Sequence, residues 1–128
     1  MEISILIILV ALFQYLILTL KVGTTRGKYG VMAPKTIGND TWERLFRVQQ
    51  NTLEQLIIFI PAMIIFAYFV NPTWVALPGI LFLIGRQLYF IKYLQDPKTR
   101  TVGFALTFFS NVGLVLVSLG FIIWHMFA

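Results

Sequence analysis

The sequence predicts an all-α integral membrane protein, a bundle of four antiparallel spans. Three observations carry that reading. Of 128 residues, 59% are hydrophobic and 12% charged, whereas a soluble domain carries roughly 25% charge. Four apolar stretches divide the chain, at about 3–20, 46–70, 73–94 and 101–127. Each suits a hydrocarbon core of about 30 Å, which needs ~20 apolar residues per helix. The connections between them carry Gly, Pro, Asn and Asp, the residues that end helices. All four spans fit one domain, residues 1–128, with no internal repeat.

The first stretch is interrupted by Gln14 and closes at Lys21. It has no basic leader and no small-residue cleavage site, so it reads as an uncleaved anchor. A polar loop follows, broken by Gly23, Gly27, Gly30, Pro34 and Gly38. The run Asn39-Asp40-Thr41-Trp42-Glu43 then opens the second helix, with Asp40 and Glu43 spaced as a capping box. A kink is expected at Pro61. Asn71-Pro72 makes a tight turn, the third stretch stops at Gln95-Asp96-Pro97, and the fourth begins near Thr101.

The net charge of +5 reflects orientation in a membrane and not affinity for nucleic acid. Lys21, Arg26, Lys28, Lys35, Lys98 and Arg100 fall in two connections on the same side, while the Asn71-Pro72 turn and both termini carry no Lys or Arg. The positive-inside rule makes loops 21–40 and 95–100 cytoplasmic and places the termini on the opposite side. Trp42 is expected at the inner boundary, Trp74 and Trp124 at the outer one. No cysteine is present, so any thiol chemistry must use a substrate's sulfur. No metal signature, phosphate loop or serine triad occurs, and His125 stands without a second ligand residue.

Two polar stripes interrupt this apolar background. Arg47, Asn51 and Glu54 lie at i, i+4 and i+7, on one helical face. Arg86, Tyr89 and Tyr93 lie at i, i+3 and i+7 in the third stretch, at a comparable depth on an antiparallel helix. A charge at mid-membrane depth costs about 2.5–3.5 kcal/mol on the insertion scale, so such groups line a site or pair together. One alternative is a buried Arg–Glu network that fixes packing, with the tyrosines snorkelling outward. Two guanidiniums, a carboxylate, an amide and two phenols, near Lys92 and Arg100, are more than packing needs. They imply a partly anionic ligand that enters from the cytoplasmic side. The remaining polar residues read as packing: Gly103, Thr107, Ser110, Gly113, Val117 and Gly120 give the fourth span a small-residue face. Gln14 and Asn111 read as amides bonded between helices.

The segment 47–61, RVQQNTLEQLIIFIP, followed by Arg86, Tyr89, Tyr93 and Arg100, resembles the membrane-associated proteins in eicosanoid and glutathione metabolism, the MAPEG family. The resemblance runs through the whole chain and points to the branch of microsomal glutathione transferases and leukotriene C synthases. It implies a homotrimer in the bacterial inner membrane or endoplasmic reticulum, with glutathione as co-substrate, no metal, and a lipophilic electrophile arriving from the bilayer. Arg47, Asn51, Glu54, Gln55, Arg86, Tyr89, Tyr93 and Arg100 would form the glutathione site in one subunit, and Arg26 and Gln49 would come from its neighbour. Arg100 is expected to hold the sulfur as thiolate, with Tyr93 beside it.

Two departures shape that expectation. Gln55 stands where leukotriene C synthase has tyrosine, and Gly27, with Lys28 one place on, replaces the loop's second basic residue. A general detoxifying transferase or glutathione peroxidase then fits better than a dedicated leukotriene enzyme. A non-catalytic lipid-binding scaffold of the same family is a second reading, which the joint presence of Arg47, Asn51, Glu54, Tyr93 and Arg100 opposes. A small multidrug transporter is a third, and it would need an acid in the first span, where this chain has Gln14 and nothing acidic beyond Glu2.

Overall fold

The computed structural model describes residues 1–128, the side chain of Pro97 excepted. Five helices follow in order: α1 (Glu2–Thr24), α2 (Arg26–Tyr29), α3 (Asp40–Ile65), α4 (Ala76–Gln95) and α5 (Thr101–Phe127). A π-helical turn, Phe66–Val70, prolongs α3, and a 3₁₀ turn, Pro97–Thr99, leads into α5. No strand occurs among the described residues. α1, α3 with its π turn, and α5 are each long and apolar enough to cross a membrane. α4 has the length, but Arg86, Gln87, Lys92 and Gln95 dilute its hydropathy. It packs chiefly on α5 and also touches α1 and α3.

Local chemistry sets the boundaries. The Asn39 side chain caps α3 by accepting from Trp42 N at 3.0 Å, so the cap lies one residue before the expected Asp40. Glu43 reaches back to Gly38 N at 3.3 Å, which preserves the reciprocal logic of a capping box in shifted register. Pro61 sits inside α3 without ending it. After the π turn, Asn71 Oδ1 accepts from Thr73 N and Trp74 N at 2.8 and 2.9 Å, closing the tight turn before α4. The glycine-rich loop is more ordered than its composition predicts. It contains α2, closed by Gly30 at φ 70, where a side chain would be strained.

The interior is layered along the helix axes. One apolar layer joins Ile7 and Ala11 of α1, Leu56, Phe59 and Met63 of α3, Phe82 of α4 and Leu114 of α5. At its centre Phe59 and Phe82 stack with centroids 3.7 Å apart. The second layer joins Leu18, Val22, Val31, Trp42, Val48, Tyr89 and Tyr93. Trp42 is fully buried there, its ring turned into the bundle. Its Nε1 donates to Val22 O at 3.0 Å, and Arg26 lies over the ring at 4.5 Å. Between the layers runs a belt of buried polar groups: Thr52, Arg86, Thr107, Ser110 and Asn111. Large apolar side chains such as Leu6, Phe13, Phe109 and Leu116 face outward, as expected where lipid is the solvent.

Along α5, backbone-to-backbone contact falls at one end. A Cβ on Gly103 would collide with Tyr89 N, and would stand 2.7 Å from Gly85 O. A Cβ on Gly85 would stand 2.9 Å from Gly103 O. The two glycines therefore let α4 and α5 approach backbone to backbone. Gly113 and Gly120, by contrast, have nothing within 4 Å of an added Cβ, so the small-residue face packs only over its first half.

Candidate functional site: a polar cleft between α3, α4 and the start of α5

The α3 and α4 stripes face each other. Arg47, Gln50, Asn51 and Glu54 from α3, Tyr89 and Tyr93 from α4, and Arg100 at the N-cap of α5 line one open cleft of about 490 Å³. Arg47 and Glu54 are exposed, Gln50 and Asn51 half-buried, and the two tyrosines mostly buried. The phenol rings stack at 5.4 Å, forming one wall. Two guanidiniums and one carboxylate leave this wall-and-floor arrangement with a net positive charge.

Arg86 belongs to the belt behind that wall. It is only 3% exposed. Its Nη1 donates to Asn51 Oδ1 at 2.8 Å and to Thr52 Oγ1 at 3.2 Å, and its Nε donates to Thr107 Oγ1 at 3.0 Å. Its guanidinium carbon lies 4.4 Å from the centre of the Tyr89 ring. All three hydrogen-bond acceptors are neutral, so the Arg–Glu pair of the packing alternative is not what holds this charge among the described residues. On its other side Arg86 borders a small cleft against α1, with Gln14, Lys21, Gln87 and Phe90.

Three further residues singled out in the sequence lie away from the cleft. Gln55 meets α5, where Asn111 Nδ2 donates to its Oε1 at 2.9 Å and its backbone oxygen at 3.2 Å. Gln49 Nε2 donates to Thr19 Oγ1 of α1 at 3.3 Å. Arg26 closes the loop, donating to Val31 O at 3.1 Å and Lys35 O at 2.7 Å. The expectation that Gln14 and Asn111 bond between helices holds, Gln14 Nε2 donating to Leu83 O at 3.1 Å. Gln50 sits between Arg47 and Glu54 at i+3 and i−4, yet as a neutral amide it does not stand out in the sequence. Thr107 read as a small packing residue, and nothing local marks it as the partner of a buried arginine.

An apolar groove of about 810 Å³ runs between α4 and α5, from Trp74 past Leu81 to Thr101 and Val102. It shares no residue with the polar cleft but ends beside Arg100 in sequence.

The family model for the MAPEG family matches residues 4–120. The chain belongs to the MAPEG family. Among its relatives, an uncharacterized protein of Synechocystis sp. is 46% identical over 121 residues, covering 94% of this chain and 88% of that one. Human microsomal glutathione S-transferase 2 is 38% identical over 88 residues, 69% of this chain and 60% of its own. Mouse leukotriene C4 synthase is 30% identical over 82 residues, 64% and 55% of the two chains. The mammalian alignments thus span less than two thirds of those relatives. With its apolar helices, this MAPEG chain is a helical membrane protein.

Proposed function

We propose that the polar cleft binds glutathione and holds its sulfur as thiolate for attack on a lipophilic electrophile. The observation that carries this reading is the convergence of Arg47, Asn51, Glu54, Tyr89, Tyr93 and Arg100 on one open cleft. Glutathione carries two carboxylates and one ammonium, which suits surplus guanidinium beside a single acid. Arginine forks bind carboxylates bidentately, and Glu54 accepts the γ-glutamyl ammonium. The relatives named for glutathione transfer and leukotriene synthesis support the substrate class.

Arg100 and Tyr93 are assigned to the sulfur. A cation beside a thiol favours the charged form and lowers its pKa from about 8.5. Arg100 opens α5, and the unpaired backbone N–H groups of a helix start add positive potential. The thiolate attacks the electrophilic carbon, a C–S bond forms, and the displaced bond's electron pair leaves with the departing group. No covalent enzyme intermediate is needed, since bringing two bound substrates together supplies the rate. An acceptor lying along the apolar groove would arrive from the bilayer with its reactive end near Arg100.

In this reading the protein is a multi-pass membrane enzyme with loops 21–40 and 95–100 cytoplasmic. Arg26 and Gln49, turned away from their own cleft, complete a neighbour's site in a homotrimer. Calorimetric titration of glutathione into detergent-purified protein, paired with turnover of a lipophilic aryl halide, tests the proposal. Saturable binding that weakens in Arg47→Ala, together with conjugate formation, is expected. Binding with neither conjugation nor reduction of a lipid hydroperoxide would leave a scaffold. Absence of binding would discard the reading.

A further inference from the structure

Arg86 is the one buried charge in the belt between the apolar layers, and it makes no wall of the polar cleft. We propose that Arg86 is a positioning residue that fixes the polarity of Asn51, so that the cleft offers an N–H pair there and selects a carboxylate or carbonyl oxygen on its ligand. Guanidinium has five N–H donors and no acceptor. The Asn51 atom that meets Arg86 Nη1 at 2.8 Å is therefore the amide oxygen. The Nδ2 group is left for the cleft that Asn51 lines. Flipping the amide would set donor against donor in a buried setting, where an unmade hydrogen bond is costly.

Arg86 can impose this polarity because its own partners are fixed. Thr52 donates its hydroxyl proton to Val48 O at 2.7 Å, and Thr107 donates to Gly103 O at 3.0 Å. Each hydroxyl thus keeps only lone pairs for Arg86, and the helix backbones of α3 and α5 set their direction. The Gly85–Gly103 contact brings Thr107 within reach. Arg86 Nη2 has no hydrogen-bond partner among the described residues, and its Nη1 and Nε meet only neutral oxygens. Its charge therefore reinforces the preference for an anionic acceptor in front of Asn51. The ring contact at 4.4 Å holds Tyr89 upright against the same cation.

The ligand half of this inference rests on the glutathione reading, while the latch itself does not, so two measurements separate them. Asn51→Asp keeps an oxygen toward Arg86 and replaces the cleft-facing N–H pair with a second oxygen. Glutathione affinity should fall by about tenfold or more. An unchanged or tighter Kd would mean that Asn51 faces the ligand's ammonium and would overturn the assignment. Thr107→Val, which leaves every cleft side chain in place, should also weaken glutathione, and Thr107→Ser should restore the wild-type Kd. Equal weakening by both would make Thr107 a matter of packing and overturn its part in the latch. On apoprotein, unfolding midpoints of Asn51→Ala, Arg86→Lys and the double variant form a cycle. A double loss smaller than the sum of the single losses is expected, and strict additivity would overturn the latch. Coupling in a protein that fails to bind glutathione would discard the glutathione reading and keep the latch.

Discussion

The layer around Phe59 and Phe82 and the belt around Arg86 are built on the same helices yet follow opposite rules. In the first, two stacked rings at 3.7 Å and their aliphatic neighbours fill space without a polar atom. In the second, one guanidinium is shared among Asn51, Thr52 and Thr107 from two other helices. Apolar packing in a membrane is forgiving in direction, because lipid and protein interior are alike in polarity. A buried guanidinium is not, since each N–H lacking a partner is costly. The belt therefore specifies rotation and depth of the helices, and the cleft in front of it inherits that specification.

Breaking the apolar layer should give the largest loss. Phe82→Ala removes a fully buried ring and should cost about 3–5 kcal/mol of stability, read by thermal unfolding in detergent. Glutathione affinity of the protein that remains folded should hardly change. A proportionate loss of affinity would mean that the two regions are not separable.

The α4–α5 contact links stability to the cleft. Gly103→Ala forces the helices apart where Tyr89 and Gly85 touch them, and overpacking of this kind costs about 1–3 kcal/mol. Because the same contact delivers Thr107 to Arg86, glutathione binding should fall along with the unfolding midpoint. Gly113→Ala on the same helix meets nothing and should raise the midpoint slightly, by the roughly 0.5–1 kcal/mol that glycine costs in a helix.

At the cleft itself the effects are on affinity. Arg47→Ala should weaken glutathione by about ten- to a hundredfold, the worth of a hydrogen bond to a charged group. Gln50→Ala should cost less than about tenfold, as a neutral contact. Both are read by calorimetric titration, and neither should move the unfolding midpoint of the apoprotein by much. A large midpoint shift in either would make that side chain part of the fold.

Much of this was legible in residue spacing. The i, i+4, i+7 face of Arg47, Asn51 and Glu54, and the pairing of Tyr89 with Tyr93, follow from helical period alone. What spacing does not report is which member of a stripe turns inward. Arg86 shares a face with Tyr89 and Tyr93, yet the backbone contact between Gly85 and Gly103 draws α5 over it and puts Thr107 at its Nε. Gln55 likewise turns to Asn111 of α5. Trp42 is buried by a long-range fold-over of the 26–38 loop, with Arg26 above its ring, and no local pattern encodes that. Asn39 and Asp40 are both good caps, and the choice depends on the direction from which the loop enters α3.

In the proposed reaction the cleft turns a bound thiol into a thiolate. Thiolate absorbance at about 240 nm, followed across a pH series at saturating glutathione, reads it directly. Wild-type protein should show thiolate at neutral pH, and Arg100→Ala should bind glutathione but shift the titration upward, toward the free thiol. Glutathione that binds and still titrates as it does in solution would rule out thiolate activation by the cleft.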